Sequence, residues 1–259
     1  MAFSPDFRST SRATGAGAQA GVIDAGLRAY MLRVYNWMTS GLLITGIVAF
    51  GISHTSLQAL FYHHVETASG AIALRPTGLG YLSIFAPLAF VMVMSFGVNR
   101  LSRQAVQGLF WAFCAVMGVS LTNIFMIYTD TSVVRVFFIT AGTFAAMSLW
   151  GYTTKTDLTK LGSFLIMGVV GIMIAMLVNM FLHSSGLQLM ISFLGVLIFT
   201  GLTAYDTQRI KLNYGQFAAY GGVEEASKRS VYDALTLYLN FINMFTFLLQ
   251  LTGTRNSSN

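Results

Sequence analysis

The sequence predicts an all-α integral membrane protein with seven transmembrane helices. Three observations carry that expectation. Charged residues make up only 9% of the 259-residue chain and hydrophobic residues 55%, whereas a soluble globular protein averages about 25% charged. Mean hydropathy is +0.66. Seven apolar runs each approach the roughly 20 residues that a helix needs to cross the hydrocarbon core. Helices are expected because an apolar run in lipid must satisfy its own backbone hydrogen bonds.

Residues 1–29 are polar and small, rich in Ser, Thr, Ala and Gly, with no apolar core. That excludes a secretory signal peptide and predicts a disordered tail. The transmembrane domain is expected over 30–252, followed by a short polar tail over 253–259. The first span covers roughly 30–53, with Arg28 and Arg33 at its start and Tyr35 and Trp37 where an interfacial aromatic belt sits. The longest connection, 54–78, holds His54, His63, His64, Glu66, Arg75 and Pro76. The second span, roughly 79–98, contains Pro87, which removes a helical hydrogen bond and favours a kink. Arg100 and Arg103 lie in the next loop. The third span is expected over roughly 105–128, the fourth over 132–152, the fifth over 161–182, the sixth over 187–205 and the seventh over 231–251. The loop between the last two carries Arg209, Lys211, Lys228 and Arg229 beside Glu224 and Glu225.

The net charge of +6 does not imply nucleic-acid binding, because the basic residues are scattered in loops. They sort by side instead. The N-terminal segment and the three even connections hold twelve Lys and Arg; the other side holds Arg75, Arg135 and Arg255. The basic side is expected in the cytoplasm, with the N-terminus inside and the C-terminus outside. The single cysteine, Cys114, lies in an apolar run, so neither an intrachain disulfide nor a thiolate metal cluster is available.

The polar residues within the spans are the functional candidates. Asp206 ends the sixth. A carboxylate in hydrocarbon costs about 2.5–3.5 kcal/mol at mid-bilayer and usually marks an ion or proton site. The alternative is an interfacial Asp206 paired with Arg209 one turn on. The last span carries Asp233, Thr236, Asn240 and Asn243 at spacings that line one helical face. Such a stripe is expensive against lipid, so this helix is expected inside the bundle. The stripe either lines a water-filled path or serves as interhelical hydrogen-bond glue. His54, His63 and His64 read as loop residues lacking the companions of a metal site. Gly118-Val119-Ser120 satisfies a loose Gly-x-Ser pattern, but no histidine lies in a span to act as base. No HExxH, P-loop or dinucleotide fingerprint is present, and the chain is not expected to be an enzyme or to need a cofactor.

Four stretches, MLRVYNWMTSGLLITG (31–46), IFAPLAFVMVMS (84–95), GLTAYDTQRIK (201–211) and ALTLYLNFINMF (234–245), resemble the Bax inhibitor-1 (transmembrane Bax inhibitor motif) family in its bacterial YccA-like branch. The resemblance covers nearly all of 30–253, and the two C-terminal motifs are its most specific part. It implies a multi-pass inner-membrane protein whose last helix is enclosed by the other six, and a pH-dependent leak of calcium or other cations. The sensor it implies is a pair of aspartates sharing a proton, near an arginine at the end of the second helix. Carried over, the first aspartate is Asp206 and the arginine is Arg100, with Arg103 the alternative. The second aspartate falls on Asn240, which cannot ionise, so the shared proton is absent and the pH response is expected to be weakened or shifted. Asp233, seven residues earlier and roughly 10 Å along the helix, is an imperfect substitute. Thr236 and Asn243 would support the same face. The resemblance also implies a second role, binding and modulating a membrane-bound ATP-dependent protease, for which a disordered N-terminal tail is a suitable handle.

Overall fold

The computed structural model describes residues 8–66, 72–97, 100–217 and 223–256. Helix α1 runs over Arg8–Ser53, and its apolar part, Ala25–Ser53, is long enough to cross a membrane. The segment expected to be a disordered tail is therefore helical from Arg8 onward. Its alanines are the best helix formers, and no proline lies between Arg8 and Ser53. Residues 1–7 lie outside the described residues.

The connection after α1 is more ordered than its composition suggests. A short helix α2 (Gln58–Phe61) leads into strand β1 (Tyr62–Glu66), which pairs antiparallel with β2 (Ile72–Pro76), Tyr62 opposite Pro76. Tyr62, Val65 and Ile72 favour extended backbone, and the Thr77 hydroxyl donates to the Leu60 carbonyl (2.6 Å), closing the base of the hairpin. Helix α3 (Gly78–Gly97) continues through Pro87. The third span is broken: α4 (Arg103–Ser120) stops at Leu121 and α5 (Thr122–Ile127) resumes. Helices α6 (Asp130–Thr153), α7 (Thr159–Leu182), α8 (Ser185–Phe217) and α9 (Val223–Thr252) complete the chain. Among the described residues, seven spans are long and apolar enough to cross a membrane, in the expected order. Among the described residues the fold is all-α apart from the hairpin and one isolated bridge, Tyr128 to Arg255.

Helix α8 runs well past the expected end of the sixth span, and α9 begins before the expected start of the seventh. The end of the bundle they share, with Arg100, Lys155 and Arg209, is the basic end. The opposite end carries the hairpin. There the last residues are tied down: the Thr254 N–H donates to the Ser132 hydroxyl (2.9 Å) and the Asn256 N–H to the Ile127 carbonyl (2.8 Å). The expected polar tail is thus docked as far as Asn256, and 257–259 lie outside the described residues.

Helix α9 is the enclosed one: 61% of its apolar window is buried, against 17% to 39% for the others. Its direct wall is α1, α4, α6 and α8. Helix α3 stands mainly against α4 and α7 mainly against α8. Large apolar side chains such as Phe96, Met167 and Phe181 are exposed on the outer surface, as expected of a face turned to lipid. Two glycines set the closeness of the wall. A Cβ on Gly118 would lie 2.7 Å from the Thr45 carbonyl oxygen of α1, and one on Gly151 would run into the backbone carbonyl of Ala204 in α8. Gly118 thus explains the Gly-x-Ser pattern by helix packing; Ser120 merely ends α4.

Gly151→Leu should force α6 away from α8, at a cost of about 1–3 kcal/mol or more. Gly142 lies on the same helix with open space around its Cβ position, so Gly142→Ala should be neutral or gain up to about 1 kcal/mol of helix propensity. Thermal unfolding of the detergent-solubilised protein, followed by size exclusion, would separate the two. Equal behaviour would contradict the close α6–α8 contact.

Candidate functional site

The site is built where α8 meets α9. Asp206 is 4% exposed, and both of its oxygens are engaged. Oδ2 accepts from the Asn240 amide of α9 (2.8 Å). Oδ1 lies 2.9 Å from the Arg209 guanidinium, one turn along its own helix. Arg209 is 40% exposed in its side chain and also lies over the Tyr205 ring, 5.7 Å from its centroid. A long side chain can thus reach a buried carboxylate while its stem rests on an aromatic face and its head points to the basic end. Arg100, the cation implied by the family resemblance, is exposed in the turn after α3, where its N–H bonds the Gly97 carbonyl (2.9 Å). The arginine in contact with Asp206 is Arg209.

Asp233 is two turns from Asn240 toward the basic end and is 9% exposed. It accepts from the Tyr30 hydroxyl of α1 (2.6 Å). The Tyr214 ring from the extended end of α8 packs on Tyr30, centroids 5.2 Å apart. The two buried carboxylates thus each have their own hydrogen-bond donor from a neighbouring helix.

The polar stripe of α9 divides. Asp233 and Asn240 are buried and bonded to neighbouring helices. Thr236 and Asn243 are half-buried and bonded to their own helix, at the Tyr232 and Leu239 carbonyls (3.2 and 2.8 Å). They share a half-buried face with Tyr232, Leu239 and Thr246, and the Tyr232 hydroxyl donates to the Met94 carbonyl of α3 (3.1 Å). Toward the hairpin end the buried face of α9 turns apolar, with Phe241, Met244, Phe245 and Leu249. Tyr238 is enclosed by the Phe110 and Phe113 rings and meets Thr45 Oγ1 at 2.7 Å.

A chain of hydroxyls, not foreseen from the sequence, reaches the residue next to Asp206. The Thr207 hydroxyl donates to the Thr203 carbonyl (2.8 Å). It has one proton to give, so the Ser148 hydroxyl, 2.9 Å away on α6, donates to it. By the same count the Tyr35 hydroxyl of α1 donates to Ser148. Single Ser, Thr and Tyr residues on three different helices leave no spacing signal in the sequence. Nearby, Gln208 accepts from the Leu158 N–H and donates to the Thr156 carbonyl (both 2.8 Å), and Lys211 donates to the Tyr152 carbonyl (2.7 Å). The motif around Asp206 thus also fastens the connection from α6 to α7. In that connection Asp157 Oδ1 accepts from the Thr159 N–H and hydroxyl (2.9 and 2.6 Å), which holds its carboxyl below the usual range.

His54 meets Asp130 at 3.2 Å, His63 lies in β1, and His183 ends α7 in the left-handed region (φ 49°); the His64 side chain lies outside the described residues. Among the described residues, no three ligating side chains are gathered as a metal site.

The sequence matches a family model described as inhibitor of apoptosis-promoting Bax1 over residues 27–257. It is similar to the uncharacterized protein RP147 of Rickettsia prowazekii, 43% identical over 90% of this chain and 92% of that one. It is also similar to the inner membrane protein YbhL of Escherichia coli, 42% identical over 89% of this chain and 94% of the relative. A more distant relative is protein YrjE of Lactococcus lactis, 34% identical over 88% of this chain and 92% of that one.

Arg209→Gln strips Asp206 of its cation and should lower stability by roughly 1–3 kcal/mol, below the full cost of breaking a buried pair because Arg209 is partly exposed. Tyr30→Phe should cost a similar amount by removing the donor to Asp233. Arg100→Gln should stay within about 0.5 kcal/mol of the parent. Thermal midpoints in one detergent would rank the three, and a large loss for Arg100→Gln alone would reverse the assignment of the partner cation.

Proposed function

Because the chain belongs to the Bax inhibitor-1 family of polytopic membrane proteins, we propose that it forms a leak pathway for calcium or other cations, with Asp206 as its ionisable gate residue. The observation that carries this reading is the buried Asp206–Asn240 hydrogen bond, which ties α8 to the enclosed helix. A carboxylate there is costly in a membrane unless it is paired or serves an ion path. The half-buried face of α9 beside it, with Thr236, Asn243 and Thr246, offers hydroxyl and amide oxygens to a dehydrating cation. In the conformation described, α9 is packed against α8 and its buried face toward the hairpin end is apolar. Conduction therefore requires α8 and α9 to separate, and the Asp206–Asn240 bond opposes separation.

Asn240 sets the pH behaviour. Two carboxylates in contact cannot both ionise cheaply and would share a proton. An amide cannot take that part, so the leak should depend only weakly on pH. Similarity to YbhL, named as an inner membrane protein, supports the same location here, and the excess of Lys and Arg at the basic end supports a cytoplasmic N-terminus.

Calcium flux across sealed proteoliposomes tests the reading. The wild type should leak with little change between about pH 5 and 8, a range that a carboxyl enters when burial or a like-charged neighbour raises its pKa. Asn240→Asp should introduce a pH response, with faster leak where both carboxyls ionise and repel. Asp206→Asn in that background should remove it. Absence of flux from all three folded preparations would end the leak reading. Orientation is tested separately: a periplasm-active reporter fused after Asn259 should be active, and a reporter active only in the cytoplasm would overturn the seven-span sidedness.

A further inference from the structure

The wall around α9 has a cleft between α1 and α6. It encloses a cavity of about 670 Å³, within the range of about 300–1,000 Å³ typical of ligand sites. Its length follows α1 from Arg28 to Leu42, about 21 Å of helix. That exceeds half of the roughly 30 Å hydrocarbon core. Its polar lining comes from Arg28, Tyr35, Thr39, Ser148 and Tyr152, and the rest is apolar. A second cavity of about 280 Å³ continues the cleft toward the hairpin end and shares Leu42, Phe137 and Phe241 with the first.

The chemistry along the cleft is graded. The basic end has the Arg28 guanidinium, with Lys211 held at the Tyr152 carbonyl and over its ring (5.2 Å to the centroid). Hydroxyls follow, then a deep apolar trough floored by Phe241. A transmembrane helix is a poor occupant. At about 10 Å across, it would displace about 1,200 Å³ over half a bilayer, so most of it would stand outside. A flexible acyl chain fits the trough, and an anionic headgroup complements the Arg28 guanidinium at its mouth. We propose that the α1–α6 cleft binds one anionic phospholipid from the leaflet at the basic end, with an acyl chain along Ala141 and Ala145 and the phosphate at Arg28. This site is independent of the leak reading, because binding is read without flux.

Native mass spectrometry of the detergent-purified full chain, titrated with phosphatidylglycerol or phosphatidylethanolamine, tests it. The wild type should retain one phosphatidylglycerol, preferred about five-fold over phosphatidylethanolamine, the effect of one basic side chain near a membrane surface. Arg28→Gln should erase the preference while chain binding persists. Ala145→Phe, which fills the trough, should remove binding of both lipids; Ala141→Leu is the milder filler if Ala145→Phe unfolds on size exclusion. Equal lipid retention in the wild type and a folded filler variant would overturn the proposal. So would a wild-type dimer that both fillers dissociate, which would give the cleft to a second copy of the chain.

Discussion

A helix carrying an aspartate and an asparagine two turns apart cannot face lipid, and that constraint organises the molecule. Burying Asp233 and Asn240 of α9 requires a donor or acceptor for each from a neighbouring helix. Tyr30 of α1 and Asp206 of α8 supply them. These two bonds fix the rotation of α9 against both neighbours, which a uniformly apolar helix in lipid would leave to packing alone. Asp206 in turn needs a cation that reaches it from one turn toward the basic end while staying hydrated. Arg209 meets both conditions.

The same logic explains why α8 is long. Its extension past Asp206 carries Gln208, Lys211 and Tyr214, each of which fastens a different neighbour: the α6–α7 connection, the end of α6, and Tyr30 beside Asp233. The charged site and the mechanical fastening of the basic end therefore occupy one stretch of sequence. A substitution there acts on both, so the stability of each variant has to be known before its flux is interpreted.

The spans, their order and the enclosed position of the last helix were legible because long apolar runs and a polar stripe at helical spacing leave few alternatives. The hairpin was not, because Tyr62–Glu66 and Ile72–Pro76 are short and mixed, and histidines and a proline obscure their strand character. The break at Leu121 lies inside a continuous apolar run, where periodicity is silent. At the site, the i,i+3 spacing of Asp206 and Arg209 was visible in the sequence as a local pair, whereas Arg100 came from the family pattern and lies exposed. The stripe was read as one face. It divides because Asp233 and Asn240 have partners on other helices while Thr236 and Asn243 bond their own backbone, a distinction that depends on which helices stand opposite. The Tyr35–Ser148–Thr207 chain was invisible for the same reason.

The wall around α9 has two weak sides, and they differ in chemistry. Between α1 and α6 the cleft is apolar, spanned at one point by the Tyr35–Ser148 hydroxyl contact. Beside α3, α9 presents Thr236, Asn243 and Thr246 half-buried, with the Tyr232–Met94 bond as a tie. Water and cations gain nothing from a trough lined by Phe and Leu, and an acyl chain gains nothing from a row of hydroxyls and amides. The proposed polar route and the proposed lipid site therefore occupy different surfaces of one helix. They meet near Asp206: the hydroxyl chain that starts in the cleft ends at Thr207, the next residue on α8. That chain joins α1 and α6 to the helix that holds the carboxylate.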